Sequence, residues 1–346
     1  MGVLAELVRN ERGIVELSPE AISELHDPVL VSNVLELLDP VLANGGVLVD
    51  GTLGMGGHTE AVLKTFPNAS VIGIDRDPRA IELASARLAQ FGSRFTPFLA
   101  TYDQIESVIA QAGLSAVDAV FMDLGVSSLQ LDDDERGFSY SRRAPLDMRM
   151  DQTGGMSAAD LLASASEAEL ARILRVYGEE RFASRIARRI VLTREEQPFT
   201  DSLQLAELVR ETIPAATRRS GGHPAKRTFQ ALRIAVNDEL TILERALPSA
   251  LSTLRVGGRL AVESYQSLED RIVKHLFKEG STPLQMPKGL PIRPSEQPQA
   301  PLELLTRKAI QASEAEVAVN PRAKSVRLRA VQLNTPYNKQ DKRSSQ

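Results

Sequence analysis

The sequence predicts an α/β protein: a doubly wound, mostly parallel sheet with an inserted helical module. Three observations predict it. Short apolar runs at Val47–Asp50, Ser70–Asp75 and Ala119–Asp123 each end in an aspartate, with helix-like segments between them. That β-α-β-α-β alternation is the pattern of a parallel sheet. A Gly-rich turn follows the first run directly. From about Gly137 to Gly222 the strand pattern gives way to helical spacing, and a strand returns at Arg259–Glu263.

The elements follow in order. Residues 1–25 read as an N-terminal extension. Pro28–Leu38 carries apolar Val29, Leu30, Val34, Leu35, Leu37 and Leu38, the spacing of a short amphipathic helix. Gly45-Gly46 breaks it before the first strand. The turn Gly51-Thr52-Leu53-Gly54-Met55-Gly56-Gly57 leads into a helix through Thr65, and Arg79–Gln90 is helical. In the module, Ala158–Leu162, Glu167–Tyr177, Glu180–Thr193 and Ser202–Thr212 read as helices, and Gly221-Gly222-His223-Pro224 marks the exit. Thr228–Leu251 reads as one long helix. Ser281–Pro301 is Pro-rich and reads as an irregular loop. The expected organisation is an extension (1–25), a sheet domain (26–136 and 223–334), a module (137–222) and a disordered tail (335–346).

Composition narrows the function classes. The chain has 346 residues, 42% apolar and 25% charged, ordinary usage for a globular protein able to bury a core. It has no Cys, which excludes disulfides and thiolate metal sites. Its four His (His26, His58, His223, His275) include no pair at metal-motif spacing, so no metal is expected. Met1–Leu17 mixes acids and bases and lacks the basic start and apolar run of a signal peptide. With no apolar run long enough to span a bilayer, a cytoplasmic protein is expected. The net charge of −4 does not advertise nucleic-acid binding, but Arg is dense at 172–194 and again at Arg218, Arg219, Arg227 and Arg233. Such patches can bind phosphate on an acidic protein. The same spacing also fits a solvated helix face with i,i+4 ion pairs.

The Gly-rich turn points to a nucleoside cofactor. It reads Gly51-x-x-Gly54-x-Gly56-Gly57 and does not complete the dinucleotide fingerprint G-x-G-x-x-G. Asp75 ends the second strand, about 20 residues after the turn, where a carboxylate can accept ribose hydroxyls. Asp77 before Pro78 is the better helix cap. Asp123 ends the third strand, at the carboxyl edge where such sheets bind ligands. These residues alone leave S-adenosylmethionine and NAD both open.

Longer motifs decide between them. Asp123-Leu-Gly-Val-Ser-Ser-Leu-Gln-Leu-Asp132 continues through Arg136-Gly-Phe-Ser139 to Pro145-Leu-Asp-Met-Arg-Met-Asp151. Before it stand His26-x-Pro28-Val-Leu30, Val49-Asp-Gly-Thr-Leu-Gly-x-Gly-Gly-His58 and Asp75-Arg-Asp-Pro78. After it stand Gly178-Glu-Glu180, His223-Pro-Ala225, Arg227-Thr-Phe-Gln-Ala-Leu-Arg233, Ser267-Leu-Glu-Asp-Arg271 and Asn320-Pro-Arg322. This ordered set, over roughly 26–330, resembles the ribosomal RNA small subunit methyltransferase H family, also called MraW. The resemblance implies a Rossmann-like methyltransferase fold and S-adenosyl-L-methionine as cofactor. It implies 16S ribosomal RNA or the small ribosomal subunit as partner, and N4-methylation of a decoding-site cytidine as reaction. It implies cofactor contacts at Gly56, Gly57, His58, Asp75, Tyr102, Asp123 and Gln130. Tyr102 replaces the family's usual Phe. Tyr265-Gln266 replaces its Phe-His, which removes a titratable group, because an amide hydrogen-bonds but does not ionise.

The expected chemistry is the activation of a delocalised amine. It must be held in line with the methyl donor, accept a hydrogen-bond partner, and lose a proton. Asp123 is the leading catalytic candidate, with Ser127–Gln130, Asp147 and Glu263 behind it. The base must leave its stack to reach the cofactor. Arg172, Arg175, Arg185, Arg188 and Arg189 are the expected RNA-facing wall. The rival readings are a methyltransferase acting on another RNA, a protein or a small molecule, an NAD-dependent oxidoreductase, and a cofactor-binding ribosome assembly factor without catalysis.

Overall fold

The computed structural model describes residues 28–127, 130–131, 133–215, 223–283 and 299–339. The extension at 1–25, the loop core at 284–298, the Gly221-Gly222 exit and the tail beyond 339 lie outside these. In chain order the elements are α1 (Val31–Leu42), β1 (Gly46–Asp50), α2 (Gly57–Thr65), β2 (Ala69–Asp75), α3 (Pro78–Leu88), β3 (Phe95–Leu99), α4 (Ile105–Gln111) and β4 (Val117–Asp123). Five helices follow: α5 (Ala158–Ser164), α6 (Glu167–Val176), α7 (Ala183–Glu196), α8 (Ser202–Thr212) and α9 (Lys226–Asn237). The chain continues through α10 (Glu239–Thr253), β5 (Leu254–Ser264), α11 (Ser267–Gly280), β6 (Leu302–Leu304), α12 (Glu314–Val319) and β7 (Arg327–Leu333).

The chain divides into two compact units, one up to Gly125 and from Ile242 onward, the other Val126–Thr241. The first holds a seven-stranded sheet in the order β3-β2-β1-β4-β5-β7-β6. β1 pairs in parallel with β2 and β4, β2 with β3, and β4 with β5, while β7 runs antiparallel to β5 and β6. The doubly wound, mostly parallel sheet expected from sequence is therefore the fold. Alternation along a strand divides its side chains between two faces. Val49, Val120 and Met122 enter one core with Leu247, Leu276 and Phe277. Leu48, Ala119 and Phe121 enter the other with Leu38, Leu42, Val62 and Leu328. Burial on both faces is why these strands read as continuous apolar runs.

The second unit is helical, with no strand among its described residues. Its helices start where the sequence supplies caps. Ser157, Ser166 and Asp201 each accept a backbone N–H of the first turn. Leu146, Leu162, Leu170, Leu174, Ile186, Ile190, Leu205, Phe229 and Leu232 form its core. The unit is wider than the expected 137–222 because α9, with Phe229 and Leu232, packs into this core.

Three other readings change. The long helix at Thr228–Leu251 is two helices. Asp238 takes a left-handed φ of 52° between them, a conformation Asp tolerates better than most residues. Asn237 fills the break by donating to the Met148 and Arg233 carbonyls and accepting from the Met150 N–H. β3 and α4 had no counterpart in the sequence reading. β3 carries Pro97, which an edge strand tolerates and a central one does not. The first five residues of the expected disordered tail are ordered. Tyr337 packs on the core, and the Lys339 ammonium lies 2.6 Å from Glu106 and donates to Ser249.

Candidate active site

The carboxyl ends of the parallel strands gather Asp50, Asp75, Asp123 and Glu263. The turn after β1 is built from backbone outward. Gly51 N–H donates to Phe121 O on β4 and Leu53 N–H to Ile74 O on β2, which pins the loop across the sheet edge. Gly56 precedes α2 with φ 77°, and a Cβ there would lie 2.9 Å from the Leu88 side chain. Both the left-handed backbone and the close approach call for glycine. Asp50 is almost wholly buried. It accepts the Thr59 hydroxyl at 2.7 Å and the Thr52 N–H at 3.2 Å, tying strand, turn and helix together. Burial, chiefly, pushes its carboxyl up to about 6.

Asp75 accepts one N–H on each oxygen, from Gly54 at 2.8 Å and Asp77 at 2.9 Å. It holds the Gly turn as well as facing the strand ends. Each oxygen keeps a second lone pair for a ligand hydroxyl. Desolvation raises this carboxyl to about 6 against those two bonds. Asp77 caps α3 through Arg79 N–H, as its place before Pro78 suggested. Tyr102 stands in a short turn after β3, its Cβ beside Gly51.

Asp123 and Glu263 are direct register partners on β4 and β5. The Asp123 side chain keeps 22% of its surface exposed, whereas Glu263 has none. His58, near the start of α2, places Nδ1 3.9 Å from Asp123 Oδ2, and its Nε2 lies 2.9 Å from the Val29 carbonyl. Carbonyls only accept, so Nε2 carries the hydrogen of that bond. The donor atoms of His58, Asp123 and Glu263 all lie within 4.8 Å of one another. Spacing between His residues gave no sign of this cluster, because its members come from three separate elements. Tyr265 O–H lies 3.5 Å from Glu263 Oε2. Burial, opposed by hydrogen bonding from Tyr265, pushes Asp123 up to about 7. Burial and the Asp123 charge push Glu263 well above the carboxylate range.

Gln266 has a clear role in place of the imidazole that the resemblance expected there. Its backbone N–H and side-chain amide both donate to Glu269 at the start of α11. Of the other candidates, Gln130 and Asp147 lie in the helical unit. Gln130 closes a turn with Ser127. Asp147 is engaged by the Arg149 guanidinium at 2.9 and 2.8 Å, which holds its carboxyl low despite partial burial. Ser128 and Leu129 lie outside the described residues.

The MraW methylase family matches residues 23–334. The chain belongs to this family. It is an S-adenosylmethionine-dependent methyltransferase with a Rossmann-like fold. It is 61% identical over 315 residues to the ribosomal RNA small subunit methyltransferase H of Beutenbergia cavernae, covering 90% of this chain and 94% of that one. The proteins of the same name from a Nocardioides species and Streptomyces avermitilis are 58% and 52% identical. Each match covers 89% of this chain and 96% of the relative. No helix among the described residues is long and apolar enough to cross a membrane.

Proposed function

We propose that this methyltransferase methylates the exocyclic N4 of a decoding-site cytidine of 16S ribosomal RNA, position 1402 in the customary numbering, in the cytoplasm. The observation that carries the chemistry is Asp123, a carboxylate at the end of β4 that keeps 22% of its side-chain surface open among buried neighbours. The substrate rests on relatives that share the name ribosomal RNA small subunit methyltransferase H along nearly their whole length.

The residues fit the cofactor. Gly56, Gly57 and His58 open α2, where backbone N–H groups suit a carboxylate. Asp75 offers lone pairs to ribose hydroxyls, Tyr102 a ring to adenine, and Asp123 an anionic oxygen to an ammonium. When bound, S-adenosylmethionine supplies an electrophilic methyl group on a sulfonium.

The chain's residues then have to orient the amine and take its proton. A cytosine amine is a poor nucleophile because its lone pair is delocalised. Asp123, accepting a hydrogen bond from the amine, keeps that nitrogen in line and receives the proton it sheds on methylation. A carboxylate raised to about 7 is a better base than an ordinary one. The helical unit is the RNA-recognition module, with Arg185, Arg188 and Arg189 exposed along α7. The test is transfer of labelled methyl to small subunits lacking the modification, with the product mapped to the nucleotide. Label on another residue, or on N4 of no cytidine, would overturn the reading.

A further inference from the structure

Glu263 is an anomaly for its place. It ends the Leu260-Ala261-Val262 run in the middle of the sheet, and it is fully buried. A lone ionised carboxylate there would cost several kcal/mol. Two oxygens in this neighbourhood, Glu263 Oε1 and Asp123 Oδ1, have no hydrogen-bond partner when both groups are read as carboxylates. Ionised carboxylates only accept, so two of them side by side cannot satisfy each other. One proton would turn either group into a donor for the other, and strand register with the 4.8 Å cluster brings the two carboxyls together.

The surroundings decide which carboxyl holds it. Glu263 faces the Asp123 charge and Glu316, with the Tyr265 hydroxyl beside it. Asp123 faces Asp50, Glu269, the Tyr265 hydroxyl and the His58 ring. Nearly all of these are acids or neutral groups. Asp123 keeps part of its surface open, whereas Glu263 is sealed. The sealed group loses more by ionising.

We infer that Glu263 is carried as the neutral acid and donates its O–H to Asp123, acting as a positioning residue for the carboxylate that faces the reacting amine. The pair carries one negative charge, placed on the open member. Glu263 cannot touch substrate from its buried site, so it is not itself the proton acceptor. The inference rests on the proposed role of Asp123, but its first half concerns a protonation state and is independent of the substrate.

Infrared difference spectroscopy of the full-length protein reads that state directly. At neutral pH the wild type should show a protonated-carboxyl carbonyl stretch that Glu263→Gln lacks, distinct from the band of partly protonated Asp123, which both proteins keep. Absence of the Glu263-dependent band in the wild type overturns the proposal, whatever the substrate proves to be. So does one equivalent of tightly bound divalent metal whose removal by chelator abolishes activity, because a cation would then join the oxygens in place of the proton. The second readout is single-turnover methylation against pH at saturating cofactor. Glu263→Gln keeps a neutral donor and should keep both the rate and the acid limb of the wild type. Glu263→Ala loses the donor. Its rate should fall by about 100-fold, the scale of a misplaced reacting group. Its acid limb should move to higher pH, because a hydrogen bond to the charged form lowers its pKa. A Gln variant that behaves like Ala, with cofactor affinity intact in both, overturns the positioning role. Methylation at an unexpected atom with the band present would instead overturn the substrate reading.

Discussion

The Thr59 hydroxyl donates to Asp50 Oδ2 at 2.7 Å in a site closed to solvent, so the first turn of α2 is fastened to the end of β1. Thr59→Val keeps the shape and removes the donor, leaving a buried carboxyl oxygen unsatisfied. Unfolding should become easier by about 1–3 kcal/mol. Cofactor affinity should fall with it, because the same bond shapes the Gly turn. Chemical denaturation and calorimetry on one variant check both. Unchanged stability would mean that the turn is set by its backbone bonds alone.

Gly56 and Gly113 separate strain from crowding. Both have positive φ, 77° and 75°, but a Cβ meets Leu88 at 2.9 Å from Gly56 and nothing within 4 Å from Gly113. Gly113→Ala should cost about 1–2 kcal/mol, the left-handed penalty alone. Gly56→Ala should cost that plus about 1–3 kcal/mol of overpacking, and should weaken cofactor binding where Gly113→Ala does not. Equal losses of stability would remove the crowding argument.

The pH dependence of stability follows from the direction of the shifts. Asp50, Asp75, Asp123 and Glu263 are raised. For a raised group the folded state binds protons more tightly than the unfolded one, so stability is greatest below the unfolded pKa and declines as pH rises through the folded value. Glu60, Asp147 and Glu169 are lowered and lose their contribution only as pH falls through the ordinary carboxylate range. Stability against urea should therefore be higher near pH 5.5 than near pH 7.5, roughly midway between the two windows. A maximum at alkaline pH would contradict the raised set.

Much of this site was legible in the sequence, and the parts that were not share a cause. β1, β2 and β4 are apolar runs ending in Asp50, Asp75 and Asp123, so burial on both faces advertised them. β3 was hidden because an edge strand carrying Pro97 lacks that run. The break at Asp238 was hidden because apolar spacing continues through it, from Ile234 to Leu243, while Asn237 makes its decisive bonds to Met148 and Met150. Glu263 ends the strand that returns at Arg259 and was a minor candidate for the proton acceptor. Its pairing with Asp123 depends on strand register, which no local pattern specifies. Gln266 read as a lost titratable group, and only the fold supplies its partner Glu269.

The exposed face of α7 tests the module's proposed role. On α7 Arg189 lies 3.6 Å from Glu211, and on α6 Arg172 pairs with Glu169 one turn away, as solvated faces would. Such exposed pairs contribute little to stability, so their side chains can turn to phosphate at small cost. Replacing Arg185, Arg188 and Arg189 together by Ala should leave the fold intact and flatten the salt dependence of RNA binding by about two to three phosphate contacts. An unchanged slope would return α7 to a solvated surface.

Asp123→Asn separates binding from chemistry at the end of β4. The amide nearly keeps the shape but cannot receive a proton, and it brings an N–H toward Glu263. If Asp123 takes the amine proton, single-turnover methylation at saturating cofactor and RNA should fall by about 10²–10⁴-fold, the range of a lost general base. The wild type's acid limb, which the bound ammonium moves below the free protein's value of about 7, should vanish with it, because the group that titrates there is gone. Cofactor binding provides the control. An ammonium held by the ionised carboxylate binds better as pH rises through 7, at most tenfold per unit below the pKa for one linked proton. The Asn variant should lose that slope whether or not Asp123 is catalytic. A flat cofactor profile combined with a normal saturated rate would confine Asp123 to binding. Loss of rate with the acid limb still in place would move the proton acceptor to another group.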